Sequence, residues 1–288
     1  MTLASFNELD KEAAAKLLFT CCGSTKWVSK IMEDFPLKSE IELLKNAAIT
    51  WYETCKQEDW QEAFLHHPVI GDVKDLEEKF ASTSKLAANE QAAVGEASQE
   101  LLEELAKANA AYTEKFGFIF IVCATGKTAA EMLRLLLDRI KNTKEEELNI
   151  AMGEQHKITV LRLKKILHLA NWTEMKVSQL TTHVLDTTVG KPGENMTIRL
   201  KQPGNDGWQT IAQGVTNADG RITDLLASQR ILNSGNYKMV FETGNYFLNN
   251  NIKGFYPEVE IQFTVNDDAH YHVPLLINPF GYTTYRGS

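Results

Sequence analysis

Hydrophobic positions along the chain follow two different periods. From Phe6 to about Leu169 apolar residues recur at helical spacing, as in Ile41, Leu44, Ala48 and Trp51, or Met132, Leu135, Leu136 and Ile140, in a background rich in Ala, Leu, Glu and Lys. This pattern predicts an all-helical half. Thr128 with Glu131 and Thr143 with Glu146 mark two helix starts, because the threonine oxygen and the carboxylate three residues on each satisfy an orphan amide of the first turn. Stops are expected at Gly23, Pro36, Pro68 and Gly71. After Trp172 the helix formers thin out and turn signals crowd in, at Lys191-Pro192-Gly193, Pro203-Gly204-Asn205-Asp206-Gly207, Asn217-Ala218-Asp219-Gly220 and Ser234-Gly235-Asn236. Between them run alternating segments such as Thr197–Leu200, Tyr237–Phe241 and Val259–Val265, and short strands at this spacing predict a β-sandwich. The chain therefore divides into an all-helical domain over residues 1–169, a linker over 170–177 and a β-sandwich over 178–288.

Composition narrows the chemistry. A chain of 288 residues with a formal net charge of −8, and no basic cluster denser than Lys164-Lys165, has no electrostatic footprint for nucleic acid or an anionic membrane. Small-molecule chemistry is left. No stretch reads as a bilayer span, and Met1 to Thr20 alternates charge with Ala and Leu, unlike a secretory leader. The four cysteines, Cys21, Cys22, Cys55 and Cys123, all lie in the first half without a C-x-x-C pair, so reduced and mostly buried thiols are expected. A cytoplasmic location follows as the expectation. Arg162-Leu163 followed by His168-Leu169 approaches an internal peroxisomal address, with a gap one residue shorter than usual.

The chemistry-bearing residues of the β half cluster in a few segments. In His270-Tyr271-His272-Val273-Pro274-Leu275-Leu276, strand alternation puts His270 and His272 on one face and Tyr271 and Val273 on the other. Leu180-Thr181-Thr182-His183-Val184-Leu185-Asp186 places a third histidine in another strand, Asp219-Gly220-Arg221 sets an arginine beside a turn, and the chain closes on Tyr285-Arg286-Gly287-Ser288. Imidazoles titrate close to neutral pH, so two of them beside an arginine can activate water, bind an oxyanion and protonate a leaving nitrogen. In this order the segments, from Gln179 to Ser288, resemble 5-hydroxyisourate hydrolase of the transthyretin-related family. The resemblance implies a catalytic set of His183, Arg221, His272 and Ser288, with Tyr285, Arg286 and Gly287 binding substrate, and no cofactor or metal. Two other readings stand beside it: a zinc hydrolase built on three imidazoles, and a transthyretin-like carrier in which the histidines are hydrogen-bonded strand residues.

In the helical half His66-His67-Pro68-Val69-Ile70-Gly71-Asp72 ends a helix with a stiff His-Pro pair. Asn89-Glu90-Gln91, Phe116-Gly117-Phe118-Ile119-Phe120-Ile121-Val122-Cys123 and Glu154-Gln155-His156-Lys157 through Arg162 follow. Together, from Phe6 to Leu167, these resemble the all-helical decarboxylase of 2-oxo-4-hydroxy-4-carboxy-5-ureidoimidazoline (OHCU), which acts directly after the hydrolase and yields allantoin. The resemblance implies His67 as proton donor and Glu90 beside the departing carboxylate. It further implies a substrate pocket formed by Pro68, Ala87, Gln91, Arg162 and the backbone of Phe118, Ile119, Phe120, Ile121 and Val122. Ala87, Ile119 and Thr125 depart from the Ser, Pro and Arg usual in that family.

The whole chain thus resembles a fused, cofactor-free enzyme of urate degradation, taking 5-hydroxyisourate and OHCU downstream of urate oxidase and assembling as a homotetramer through its β domain. The rival from another class is a helical scaffold fused to a transthyretin-like binding module, with one or both activities lost.

Overall fold

The computed structural model of the chain describes residues 1–67, 99–125, 127–168, 178–204, 207–227 and 230–287. Helix starts in the N-terminal half fall where a side-chain oxygen takes an orphan amide. Thr2, Asp10, Ser24 and Ser39 each accept from the third residue of α1 (Leu3–Asn7), α2 (Lys11–Cys22), α3 (Thr25–Met32) and α4 (Glu40–Ile49). After α5 (Gln57–Leu65) and α6 (Gln99–Phe116), both capping boxes read from the sequence are formed: Thr128 with Glu131 opens α7 (Ala129–Arg139), and Thr143 with Glu146 opens α8 (Lys144–Leu167). Gly23 stops α2 as expected, in the left-handed conformation at φ 79°. Pro68 and Gly71 lie outside the described residues.

Two details depart from the simple helical period. Ile41 is 46% exposed, and Leu43, Leu44, Ala47 and Ala48 face the core in its place. α4 also runs into a wider π turn, Thr50–Thr54, where the Cys55 amide donates to the Thr50 carbonyl at 2.9 Å. Here Trp51 is fully buried and its indole N–H donates to the Met152 carbonyl at 2.8 Å, while the Tyr52 ring meets His156 edge-on at 5.2 Å. Such one-turn widenings gather at functional sites.

α8 is the spine of this domain. Its Met152, Val160, Leu163 and Leu167 share a core with Phe6, Leu18, Trp27 and Leu44, while Leu102, Tyr112 and Phe116 of α6 pack with Met132 and Leu136 of α7 in a second cluster. Where α6, α7 and α8 meet, the fully buried Glu147 accepts from Arg139 Nε at 2.8 Å, from Asn142 at 2.8 Å and from the Tyr112 hydroxyl. A buried carboxylate is tolerated only when its lone pairs are filled in this way.

The β half forms two sheets, in the order β10-β9-β1-β2, with β5 and β8 also on β1, and β4-β3-β6-β7. The first comprises β1 (Leu180–Asp186), β2 (Lys191–Pro192), β5 (Arg221–Ile222), β8 (Tyr271–His272), β9 (Leu275–Asn278) and β10 (Gly281–Thr284). The second comprises β3 (Thr197–Gly204), β4 (Gly207–Val215), β6 (Gly235–Phe241) and β7 (Val259–Val265). Leu180, Val184, Ile198, Leu200, Met239, Phe241, Leu275 and Ile277 fill the space between them. The single run predicted over His270–Leu276 is instead two strands broken at Val273-Pro274, since proline has no amide for the ladder. A short helix, α9 (Thr243–Asn249), inserts between β6 and β7, which the alternation did not foretell.

The two domains touch along α7, α8 and β4. Asp138 accepts from Thr197 at 2.9 Å, Glu146 from Thr210 at 2.9 Å, and the Arg230 guanidinium lies 4.3 Å over the Tyr52 ring. Among the described residues no helix is long and apolar enough to cross a membrane.

Candidate active sites

In the β half the site grows from the central strand of its sheet. Along β1 the side chains of Leu180, Thr182 and Val184 enter the core, which leaves Thr181 and His183 half-buried on the opposite face. On one side of β1, Arg221 of β5 stands directly across from His183; on the other, His272 of β8 stands across from Thr181. Directly opposed residues have Cβ atoms about 5 Å apart, so two imidazoles and a guanidinium share one patch. The Thr181 hydroxyl binds His272 Nδ1 at 2.9 Å and His270 Nε2 at 3.0 Å, donating its single hydrogen to one ring and accepting from the other. His270 thereby joins the site through Thr181.

Electrostatics follow from this crowding. Burial, and then the Arg221 cation, hold both His183 and His272 below the usual imidazole value, and His272 is pushed further by His270 and His183. Both rings are therefore neutral bases at pH 7.

The terminal segment closes on the same patch through one residue. Gly287 forms an antiparallel bridge with His272, its amide donating to the His272 carbonyl at 3.0 Å. A Cβ at Gly287 would meet His272 Cδ2 at 2.3 Å, so only glycine can lie this close to the ring. Thr284 ties the tail further back by donating to the Pro274 carbonyl at 2.8 Å. Tyr285 is 59% exposed, and the Arg286 guanidinium lies 5.4 Å over the Tyr271 ring. Ser288 lies outside the described residues.

The helical site is built around the C-terminus of α2, whose last carbonyls have no partner within the helix. Two residues of α8, seven apart and so on one face, reach them: Gln155 Nε2 donates to the Cys22 carbonyl at 3.1 Å, and Arg162 Nη1 donates to the carbonyls of Thr20 and Cys21 at 3.3 Å each. Arg162, assigned to substrate by resemblance, is thus bound to the α2 terminus. His66 meets Phe19 edge-on at 4.8 Å and packs over Gly23, which brings the next residue, His67, to this corner. There His67 Nε2 meets Gln155 Oε1 at 2.5 Å.

The segment from Phe118 to Cys123, without regular secondary structure, is held in place beside it. Phe118 and Ile121 pack on Phe64 of α5, Glu154 Oε2 accepts the Cys123 amide at 2.7 Å, and Arg139 donates to the Ile121 carbonyl at 2.8 Å. The Ile121 carbonyl and Cys123 amide are therefore engaged by the protein itself. The side chains of Phe120 and Ile121 are buried, whereas Phe118, Ile119 and Val122 are half-buried. Pro68, Ala87, Glu90 and Gln91 lie outside the described residues. His156 is unsuited to proton delivery: it is fully buried, and burial followed by the Arg230 cation pushes its pKa down to about 3.

Sequence reasoning missed Thr181, Gln155 and Glu154 as parts of these sites. Thr181 lies two residues before His183, and Gln155 two helical turns before Arg162, so face periodicity alone could have marked both.

Known proteins match both halves. Residues 180–287 fit the HIUase/Transthyretin family and residues 7–164 fit the OHCU decarboxylase family. The chain belongs to the family that joins these two domains in one polypeptide. It is 33% identical, over 93% of its length and 96% of the relative's, to "Uric acid degradation bifunctional protein TTL" of Arabidopsis thaliana. Its β half is 42% identical to the "5-hydroxyisourate hydrolase" of Mus musculus, over 38% of this chain and 96% of that one. A crystal structure of (S)-allantoin synthase aligns over 100% of both chains at 25% identity and a TM-score of 0.43.

Proposed function

We propose that this chain performs two consecutive steps of urate degradation: its β domain hydrolyses 5-hydroxyisourate to OHCU, and its helical domain decarboxylates OHCU to (S)-allantoin. The observation that carries the reading is the meeting of His183, Arg221, His272 and Gly287 on one sheet face. A neutral imidazole of the His183 and His272 pair takes a proton from water, the hydroxide adds to the ring carbonyl, and Arg221 stabilises the resulting oxyanion. The imidazolium then returns its proton to the leaving nitrogen as the ring carbon–nitrogen bond breaks. A carrier would need none of this acid–base placement. By resemblance Ser288, Tyr285 and Arg286 complete the binding of substrate.

In the helical domain the carbon–carbon bond to the carboxylate breaks, CO2 leaves, and the electron pair stays on the ring carbon. His67, fixed on one side, protonates that carbon from a single face. Pro68, Ala87, Glu90, Gln91 and Arg162 take part by resemblance, with Glu90 facing the departing carboxylate. Freshly generated 5-hydroxyisourate, followed by ultraviolet absorbance and circular dichroism, tests both steps. His67→Asn should leave hydrolysis intact and make the accumulated allantoin racemic; rapid turnover to one enantiomer would remove His67 as the donor.

Assembly as a homotetramer through the β domain belongs to the same proposal. It is supported by the edge strands β7 and β10 and by exposed aromatic residues beside β10, Phe255, Phe280 and Tyr282. Sedimentation giving a fully active monomer would refute it.

A further inference from the structure

Gln155 is fully buried, and its surroundings leave its amide one orientation. Its Nε2 faces two oxygens: the Cys22 carbonyl at 3.1 Å and the Thr159 hydroxyl at 3.5 Å. The carbonyl can only accept. The Thr159 hydroxyl already donates its hydrogen to the Gln155 main-chain carbonyl at 3.0 Å, so toward the amide it too presents a lone pair. Turning the amide over would set Oε1 against both acceptors in a buried site, leaving the NH2 hydrogens to face His67. The amide carbonyl therefore points at His67 Nε2.

A carbonyl oxygen has no hydrogen to give, so Nε2 of His67 must carry one. A neutral imidazole has a single N–H, which makes Nδ1 the nitrogen that loses and regains the second proton. We propose that Gln155 is a positioning residue for decarboxylation: it locks His67 in the Nε2–H form, so that the proton delivered to the ring carbon comes from Nδ1. This rests on the reading of His67 as proton donor. The protons balance: imidazolium Nδ1–H protonates the carbanionic carbon as CO2 departs, neutral Nε2–H imidazole remains, and solvent restores the proton at Nδ1. The same contact favours the acid form, because a hydrogen bond from a cationic ring to a carbonyl is stronger than one from the neutral ring. Because Gln155 is anchored to the α2 terminus through Cys22, the ring that it holds is also fixed in direction.

The test is nitrogen-15 NMR of the full chain labelled at histidine, with the His67 signals assigned by their loss in His67→Asn. In the wild type, above the ring's pKa, the His67 signals should show Nε2 protonated and Nδ1 bare. Gln155→Met, close to the same volume but without the carbonyl, should mix the two tautomers, lower the titration midpoint of His67 and cut the decarboxylation kcat on the order of tenfold or more. KM should change less, and hydrolysis should be unaffected. A wild-type His67 with its hydrogen on Nδ1 would overturn the proposal whether or not the variant folds, and so would an unmoved midpoint in folded Gln155→Met. The donor reading fails separately: the tautomer lock would then be seen in the wild type while His67→Asn still produced one enantiomer.

Discussion

Gly287→Ala tests whether the C-terminal tail acts on the histidines proposed for hydrolysis. The added methyl would sit 2.3 Å from His272 Cδ2 and 3.0 Å from Cγ. Carbon atoms settle at roughly 3.5 Å or more, so the tail must retreat, or the ring must turn, by about 1.2 Å. Neither is neutral for the site. Retreat breaks the amide bridge from Gly287 to the His272 carbonyl, and rotation breaks the hydrogen bond between the ring and Thr181. A displacement of about 1 Å at a reacting group costs on the order of a hundredfold in rate, equivalent to about 2.7 kcal/mol of barrier. Hydrolysis of freshly generated 5-hydroxyisourate should slow by that factor, while decarboxylation of supplied OHCU and the melting temperature stay close to wild type, since the tail carries little of the core. A variant that hydrolyses at the wild-type rate would show that the tail merely packs at the edge of the sheet.

Two further expectations test other parts of the molecule. Arg139→Met should destabilise the helical domain by about 3–5 kcal/mol in urea unfolding, because it strands the buried Glu147 carboxylate; Arg139→Met with Glu147→Leu should recover only part of this, since Tyr112 and Asn142 lose their acceptor, and an unmoved midpoint in the single variant would contradict the network. For pH, burial and Arg221 depress His183 and His272 below their ordinary 6.5, so hydrolysis should decline only on the acid side of that value; Arg221→Gln removes one acidifying cation and should move the acid limb upward in normalised rate profiles, whereas a downward shift would rule out the assigned cause.

The division into two folds was legible because period is a local property. Thr128 and Thr143 with their glutamates, Gly23, and the strands around Ile198, Met239 and Ile261 could all be read from neighbours within four residues. That the residues proposed for hydrolysis share one face was legible for a related reason. Alternation fixes which side chains share a face, and β1 lies between the two strands that carry Arg221 and His272, so these residues meet on the face of His183. The π turn at Thr50–Thr54 was hidden, since one extra residue in a turn leaves no compositional mark, and so was Ile41, where a neighbouring leucine took the core position.

What stayed hidden in the helical site is tertiary by nature. His67 and Gln155 are 88 residues apart, and Gln155 and the Cys22 carbonyl are 133 apart. No local rule pairs them. The requirement that joins them is nevertheless elementary: a helix that ends in the interior leaves carbonyls needing donors, and the donors come from the long helix packed across it. Arg162 and Gln155 meet that need at the end of α2, and the amide's remaining oxygen is then turned toward His67. The group that completes the fold at this corner is thus the same one that orients the imidazole, so a substitution there should be read in both stability and stereochemistry, whereas the histidines proposed for hydrolysis, on a half-buried sheet face, can be altered with far less cost to folding.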